Sequence, residues 1–97
     1  WLMRAMLLDW LIEVSSDFTL KISTFHYAVN YIDRFLSQVS NVQKANFQLV
    51  GLTALSLATK LEEVYVPHLS DFAVSAGNIF SVDTIKKMEL FMLKVSD

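Results

Sequence analysis

The chain has 97 residues, 54% of them hydrophobic and 19% charged, with two Gly, one Pro and no Cys. That length suits one domain; the apolar content excludes a disordered chain, the scarcity of turn residues argues against an all-β fold, and without cysteine neither disulfide nor thiolate chemistry is available. The net charge is −2 and no basic patch stands out, which sets nucleic acid aside as a partner.

Apolar periodicity predicts a first helix from about Leu2 to Ser15, within which lies MRAMLLDWL. Met3, Met6, Leu7, Trp10 and Val14 make one stripe on it, and Ala5, Leu8 and Ile12 make another on the opposite side. One stripe can face a core, so the other is surplus. Ser23 or Thr24 suits the N-cap of a second helix that runs to about Ser37, with a core stripe of Phe25, Val29, Ile32 and Leu36. A third helix covers about Lys44 to Glu62. On it Phe47, Leu49, Val50, Leu52, Leu55, Leu57 and Leu61 fall all round the wheel, with Ala45, Gly51, Ala54 and Ala58 among them. A helix apolar on every side is a buried one. Its uncharged run, between Lys44 and Lys60, is shorter than the roughly 20 residues of a membrane span and carries Asn46, Gln48, Thr53, Ser56 and Thr59, so no membrane partner is expected.

Pro67 leads into a short fourth helix, about Leu69 to Val74, and Ser81 caps a fifth, with Asp83 in its first turn, that runs to about Val95. The connections DFTLKI, QVSNVQ, VYVPH and SAGNIF are short and polar enough for loops, which predicts a compact all-α bundle of five helices with the third buried at its centre. The chain opens at Trp1 already in helical pattern and stops soon after a helical run, so a fragment of a longer protein is expected. Arg4 and Asp9 interrupt the opening apolar run, which does not read as a signal peptide.

Some charges sit in apolar arcs. Arg4 lies between Leu8 and Leu11, and Asp9 is on the other flank, out of reach along the helix. A buried guanidinium needs a carboxylate, and Asp33 on the second helix offers one; the other reading is an Arg4 that snorkels to water. Glu89 lies between Ile85 and Leu93, and Thr53, Ser56 and Lys60 make a narrow polar strip on the third helix. Lys60 and Glu89 read either as ordinary surface charges or as anchors for a partner chain.

MRAMLLDWL, NYIDRFL, QLVG and ATKLEEVYVP together resemble the N-terminal cyclin box of the cyclins that activate cyclin-dependent kinases, most of all the A-type and B-type (mitotic) ones. The resemblance covers Met3 to Val95, and the positions that mark a cyclin box are matched by Arg4, Asp33, Leu49, Lys60 and Glu89. It implies five helices around a buried third, an Arg4–Asp33 structural pair, and a regulatory subunit that is not itself an enzyme, needs no cofactor or metal, and works in the nucleus and cytoplasm. By the same resemblance Lys60 and Glu89, with Leu61 and Glu62, contact the kinase. Met3, Met6, Leu7 and Trp10 would form a shallow groove for Arg-x-Leu peptides of substrates and inhibitors, with Glu13 receiving the peptide's basic residue and Gln48 its backbone. Met and Trp suit such a groove, since Met adapts its shape and Trp offers a large apolar face. Met6 stands where the family commonly has Ile, and Tyr65-Val66-Pro67 where Tyr-Pro-Pro is common; the loop around Asn41 to Asn46 looks one residue longer than in A-type cyclins. The helix that precedes the box and a second cyclin box are absent from the 97 residues.

Three rivals are weaker. For an enzyme, His26 and His68 are lone residues without ligand spacing, Glu62 and Glu63 are adjacent and so point apart on a helix, and there is no Gly-rich phosphate loop. A DNA-associated protein of the same fold would want a basic face, and Lys+Arg 8 against Asp+Glu 10 lacks one. A cyclin working in transcription or phosphate metabolism fits MRAMLLDWL less well than a cell-cycle one, because the peptide groove is characteristic of the latter.

Overall fold

A computed structural model describes residues 2–39 and 42–96. Five helices follow one another: α1 (Leu2–Asp17), α2 (Ile22–Gln38), α3 (Lys44–Glu62), α4 (Leu69–Ser75) and α5 (Val82–Ser96). The fold is all-α, as the periodicity predicts. Ser40 and Asn41 of the expected QVSNVQ connection, and the side chain of Ala45, lie outside the described residues.

The third helix is the centre. Every residue from Leu49 to Thr59 is buried, and α3 packs against each of the other four helices. Leu52 and Leu55 are fully covered, each worth about 1.5–3 kcal/mol relative to exposure. Small residues set the spacing. A Cβ placed on Gly51 would lie 2.8 Å from Cδ1 of Leu7 and 3.4 Å from Cδ1 of Leu11, so α1 approaches α3 at a distance that only glycine admits without Leu7 moving.

Two stripes differ from expectation. On α1 the core face is Leu7, Leu11, Val14 and Ser15, while Leu2, Met6 and Ile12 stay exposed. On α2 the buried set is Thr24, Ala28, Ile32 and Phe35, and Phe25 and Leu36 only flank it. The helix has turned so that Thr24, Ala28, Ile32 and Phe35 face the core, putting two small side chains in its first half there. Side-chain bulk in the sequence pointed to the neighbouring stripe, but two helices come closest where side chains are short.

The start of α2 also differs. Neither Ser23 nor Thr24 caps it: the N-cap is Lys21, whose own side chain does no capping, and the need is met from another element, by Glu63. The DFTLKI connection is less polar in practice than its ends suggest, since Phe18 packs on Phe72 of α4 with ring centroids 4.9 Å apart. Ser81 caps α5 as predicted, its Oγ accepting the Thr84 N–H at 3.1 Å. The turn after α4 uses Gly77 and Asn78, both at positive φ, residue types that tolerate the left-handed region.

Candidate protein-docking site

The polar strip of α3 faces α5, and there the two anomalous charges meet. Lys60 Nζ donates to both carboxylate oxygens of Glu89, at 3.1 Å each. Ser56 Oγ donates to Oε2 of the same carboxylate at 2.8 Å. The Glu89 side chain is 9% exposed and that of Lys60 is 50% exposed. This is neither a pair of independent surface charges nor a pair of free anchors. A carboxylate this deeply covered needs a cation and further hydrogen bonds, and α3 supplies both from one face, four residues apart. The ammonium has three N–H groups and half its side chain in water, so it keeps capacity for an acceptor on a partner. Exposed leucines stand on the same two helices: Leu61 follows Lys60 on α3, and on α5 Leu90 follows Glu89 and Leu93 lies one turn beyond it. Glu62 is half-buried at the end of α3.

The second region runs along α1. Met6 is 61% exposed, Met3 and Trp10 are half-buried, and Glu13 lies in solvent. Leu7 departs from its expected place in the groove: only 4% exposed, it packs into the core over Gly51. It forms a floor and offers almost no surface to a peptide. Gln48 is exposed and sits one turn before Gly51 on α3, the point where that helix meets α1.

Arg4 and Asp33 are joined across α1 and α2: Nε donates to Oδ1 and Nη2 to Oδ2, both at 3.1 Å. The pair is not buried as the apolar setting of Arg4 suggested, with side chains 34% and 47% exposed. It is both a pair and partly in water, because α1 buries only one face and leaves the Arg4 side open. The Asp33 hydrogen bond and charge raise the Arg4 pKa above its ordinary value.

A further junction was not foreseen. Glu63, just past α3, accepts the Lys21 N–H at 2.8 Å and the Thr24 hydroxyl hydrogen bond, while Lys21 Nζ donates to the Glu62 carbonyl at 3.0 Å. The Thr24 hydrogen bond, supported by the Lys21 N–H and ammonium and opposed by partial burial, holds the Glu63 carboxyl below its usual pKa. Partners some forty residues apart leave no local pattern to read. His26 is exposed, and His68 is the exposed N-cap of α4, its N–H held by Asp71 at 3.0 Å. Among the described residues there is no group of three His, Cys, Asp or Glu able to hold a metal ion.

Comparison with known proteins agrees with this geometry. The family model described as the cyclin N-terminal domain matches residues 1–95. Cyclin-A2 of Gallus gallus is 45% identical over 93 residues, covering 96% of this chain and 23% of that protein. G2/mitotic-specific cyclin-B of Hydra viridissima is 44% identical over 95 residues, 98% of this chain and 24% of that protein. G2/mitotic-specific cyclin-4 of Candida albicans is 45% identical over 95 residues, 98% of this chain and 19% of that protein. The chain thus spans a quarter or less of the length of these relatives. A bundle of five helices around a buried third, the Arg4–Asp33 and Lys60–Glu89 pairs and the match over residues 1–95 lead to one assignment: the chain belongs to the cyclin family, as its N-terminal domain.

Proposed function

We propose that the protein containing this chain is a regulatory subunit, not itself an enzyme, that binds and activates a cyclin-dependent Ser/Thr kinase and so controls progress through the cell cycle. The observation that carries the reading is the Lys60–Glu89 pair, joining two helices that also expose Leu61, Leu90 and Leu93, on a chain 45% identical to Cyclin-A2 of Gallus gallus over 93 residues. Apolar side chains supply contact area, and a half-exposed ammonium held in one place by a buried carboxylate fixes register. Packed against the mobile helix beside the kinase active site, this surface turns that helix inward, so that its glutamate pairs with the ATP-positioning lysine and the activation loop opens. Glu62 adds a carboxylate at the edge of the same surface.

Substrate recruitment falls to α1. Met3, Met6 and Trp10 over the Leu7 floor take the leucine of an Arg-x-Leu segment, Glu13 pairs with its arginine, and Gln48 bonds its backbone. The partners are proteins. Neither nucleic acid nor a membrane belongs in this reading, in which the protein works in the nucleus and cytoplasm and requires no cofactor. The test is binding of the full-length protein to an immobilised monomeric cyclin-dependent kinase. Saturable binding that Lys60→Glu weakens at unchanged helical content supports the reading, and unaltered affinity of that variant removes the anchor role.

A further inference from the structure

We infer that Glu63 is a positioning residue for the docking surface at the end of α3, acting through α2 and not by touching a partner. The inference rests on the kinase-binding reading above. Two adjacent carboxylates end α3, and their situations differ. That of Glu63 is engaged inside the molecule: it accepts the Lys21 N–H at 2.8 Å and the Thr24 hydroxyl, and so serves as the missing cap of α2. Among the described residues the Glu62 carboxylate has no such engagement, and its backbone carbonyl is held by Lys21 Nζ at 3.0 Å. Three hydrogen bonds therefore lash the start of α2 to residues 62 and 63. Helix ends fray unless their groups are satisfied, and the last turn of α3 carries Lys60 and Leu61, both exposed and both on the docking surface. The Glu63 N–H bonds to the Thr59 carbonyl at 2.9 Å, so a carboxylate tied down at position 63 holds that turn closed. After it, Val64 and Tyr65 are 82% and 90% exposed, leaving Glu63 as the last anchored residue before a solvent-facing stretch.

The design follows from Thr24, which is fully buried and so out of reach of any partner. Thr24→Val, Glu63→Ala, Glu63→Gln and Glu62→Ala are made in the full-length protein and compared at a temperature where all remain folded. In the free protein, amide hydrogen exchange at residues 60–64 and at residues 22–25 should rise together in Glu63→Ala and in Thr24→Val. Affinity for the kinase should fall roughly five- to tenfold in both. The double variant should lose no more than either single one, and Glu63→Gln, which keeps an acceptor, should recover most of the affinity. Unchanged exchange at residues 60–64 in Glu63→Ala overturns the inference whether or not any kinase binds. Loss of affinity in Glu63→Ala with Thr24→Val like wild type also overturns it, because Glu63 would then be a direct contact. A wild-type protein that binds no cyclin-dependent kinase, with exchange rising as described, removes the docking reading and with it the positioning role, leaving Glu63 a structural cap.

Discussion

Glu89 is buried on α5, and Lys60, half in solvent on α3, grips both of its carboxylate oxygens at 3.1 Å. The two residues are not equivalent. Removing the cation strands a carboxylate in a covered site, whereas neutralising the carboxylate leaves an ammonium that water can reach.

Lys60→Met should therefore lower unfolding free energy by about 1–2 kcal/mol, less than for a wholly buried pair because water can approach from the Lys60 side. Glu89→Gln should cost less than Lys60→Met, since its amide oxygen still accepts from Ser56. Denaturant midpoints of the two variants check the order, and a reversed order is incompatible with the burial difference.

The Arg4–Asp33 bridge joins α1 to α2 in a bidentate geometry, but both side chains are well exposed. Arg4→Ala should lower the thermal midpoint only slightly, far less than Leu11→Ala, and the difference from wild type should shrink as salt rises. A large loss that salt leaves untouched would mean the pair is shielded from solvent.

A helical wheel locates Arg4, Asp33 and Glu89, because each stands in or beside an apolar arc where charge is out of place, and Lys60 at the end of a narrow polar strip with Thr53 and Ser56. It also found α3, since apolar residues on every side have one physical meaning. It could not give rotation about a helix axis. The large residues of α2 suggest a stripe of Phe25, Val29, Ile32 and Leu36, but the structure buries Thr24, Ala28, Ile32 and Phe35. The groove position of Leu7 comes from the family resemblance, and a motif match does not tell a groove wall from its floor: Gly51 makes room for Leu7 inside. The Glu63 cap lay beyond any local reading, because the group it satisfies begins a helix far back in the chain.

On α1 the exposure pattern separates recognition from stability. Met6 is 61% exposed, so Met6→Ala should leave the thermal midpoint nearly unchanged and still weaken phosphorylation of substrates carrying an Arg-x-Leu segment. Trp10→Ala should do the same to those substrates but also lower stability, as Trp10 is partly packed on the core. Steady-state rates on matched substrates with and without the segment provide the check; an equal effect on both kinds removes the groove.

Acid should weaken the fold in part through Glu63. Its hydrogen bonds from Thr24 and the Lys21 N–H depress its pKa in the folded state, so the unfolded chain takes up the proton first as pH falls. The stabilisation is complete above the ordinary glutamate value of about 4.3 and is lost as pH drops through the lower folded value. Denaturant midpoints between neutral pH and about pH 3 should fall less steeply in Glu63→Gln than in wild type. Identical slopes would show that the carboxylate is not held in solution.

The most direct test titrates the full-length protein into a monomeric, inactive cyclin-dependent kinase and follows phosphorylation of a histone-type substrate. Saturable activation is predicted, with Lys60→Glu shifting the half-activation point to higher concentration. A kinase that remains inactive and unbound at saturating concentrations of the wild-type protein would contradict the regulatory reading.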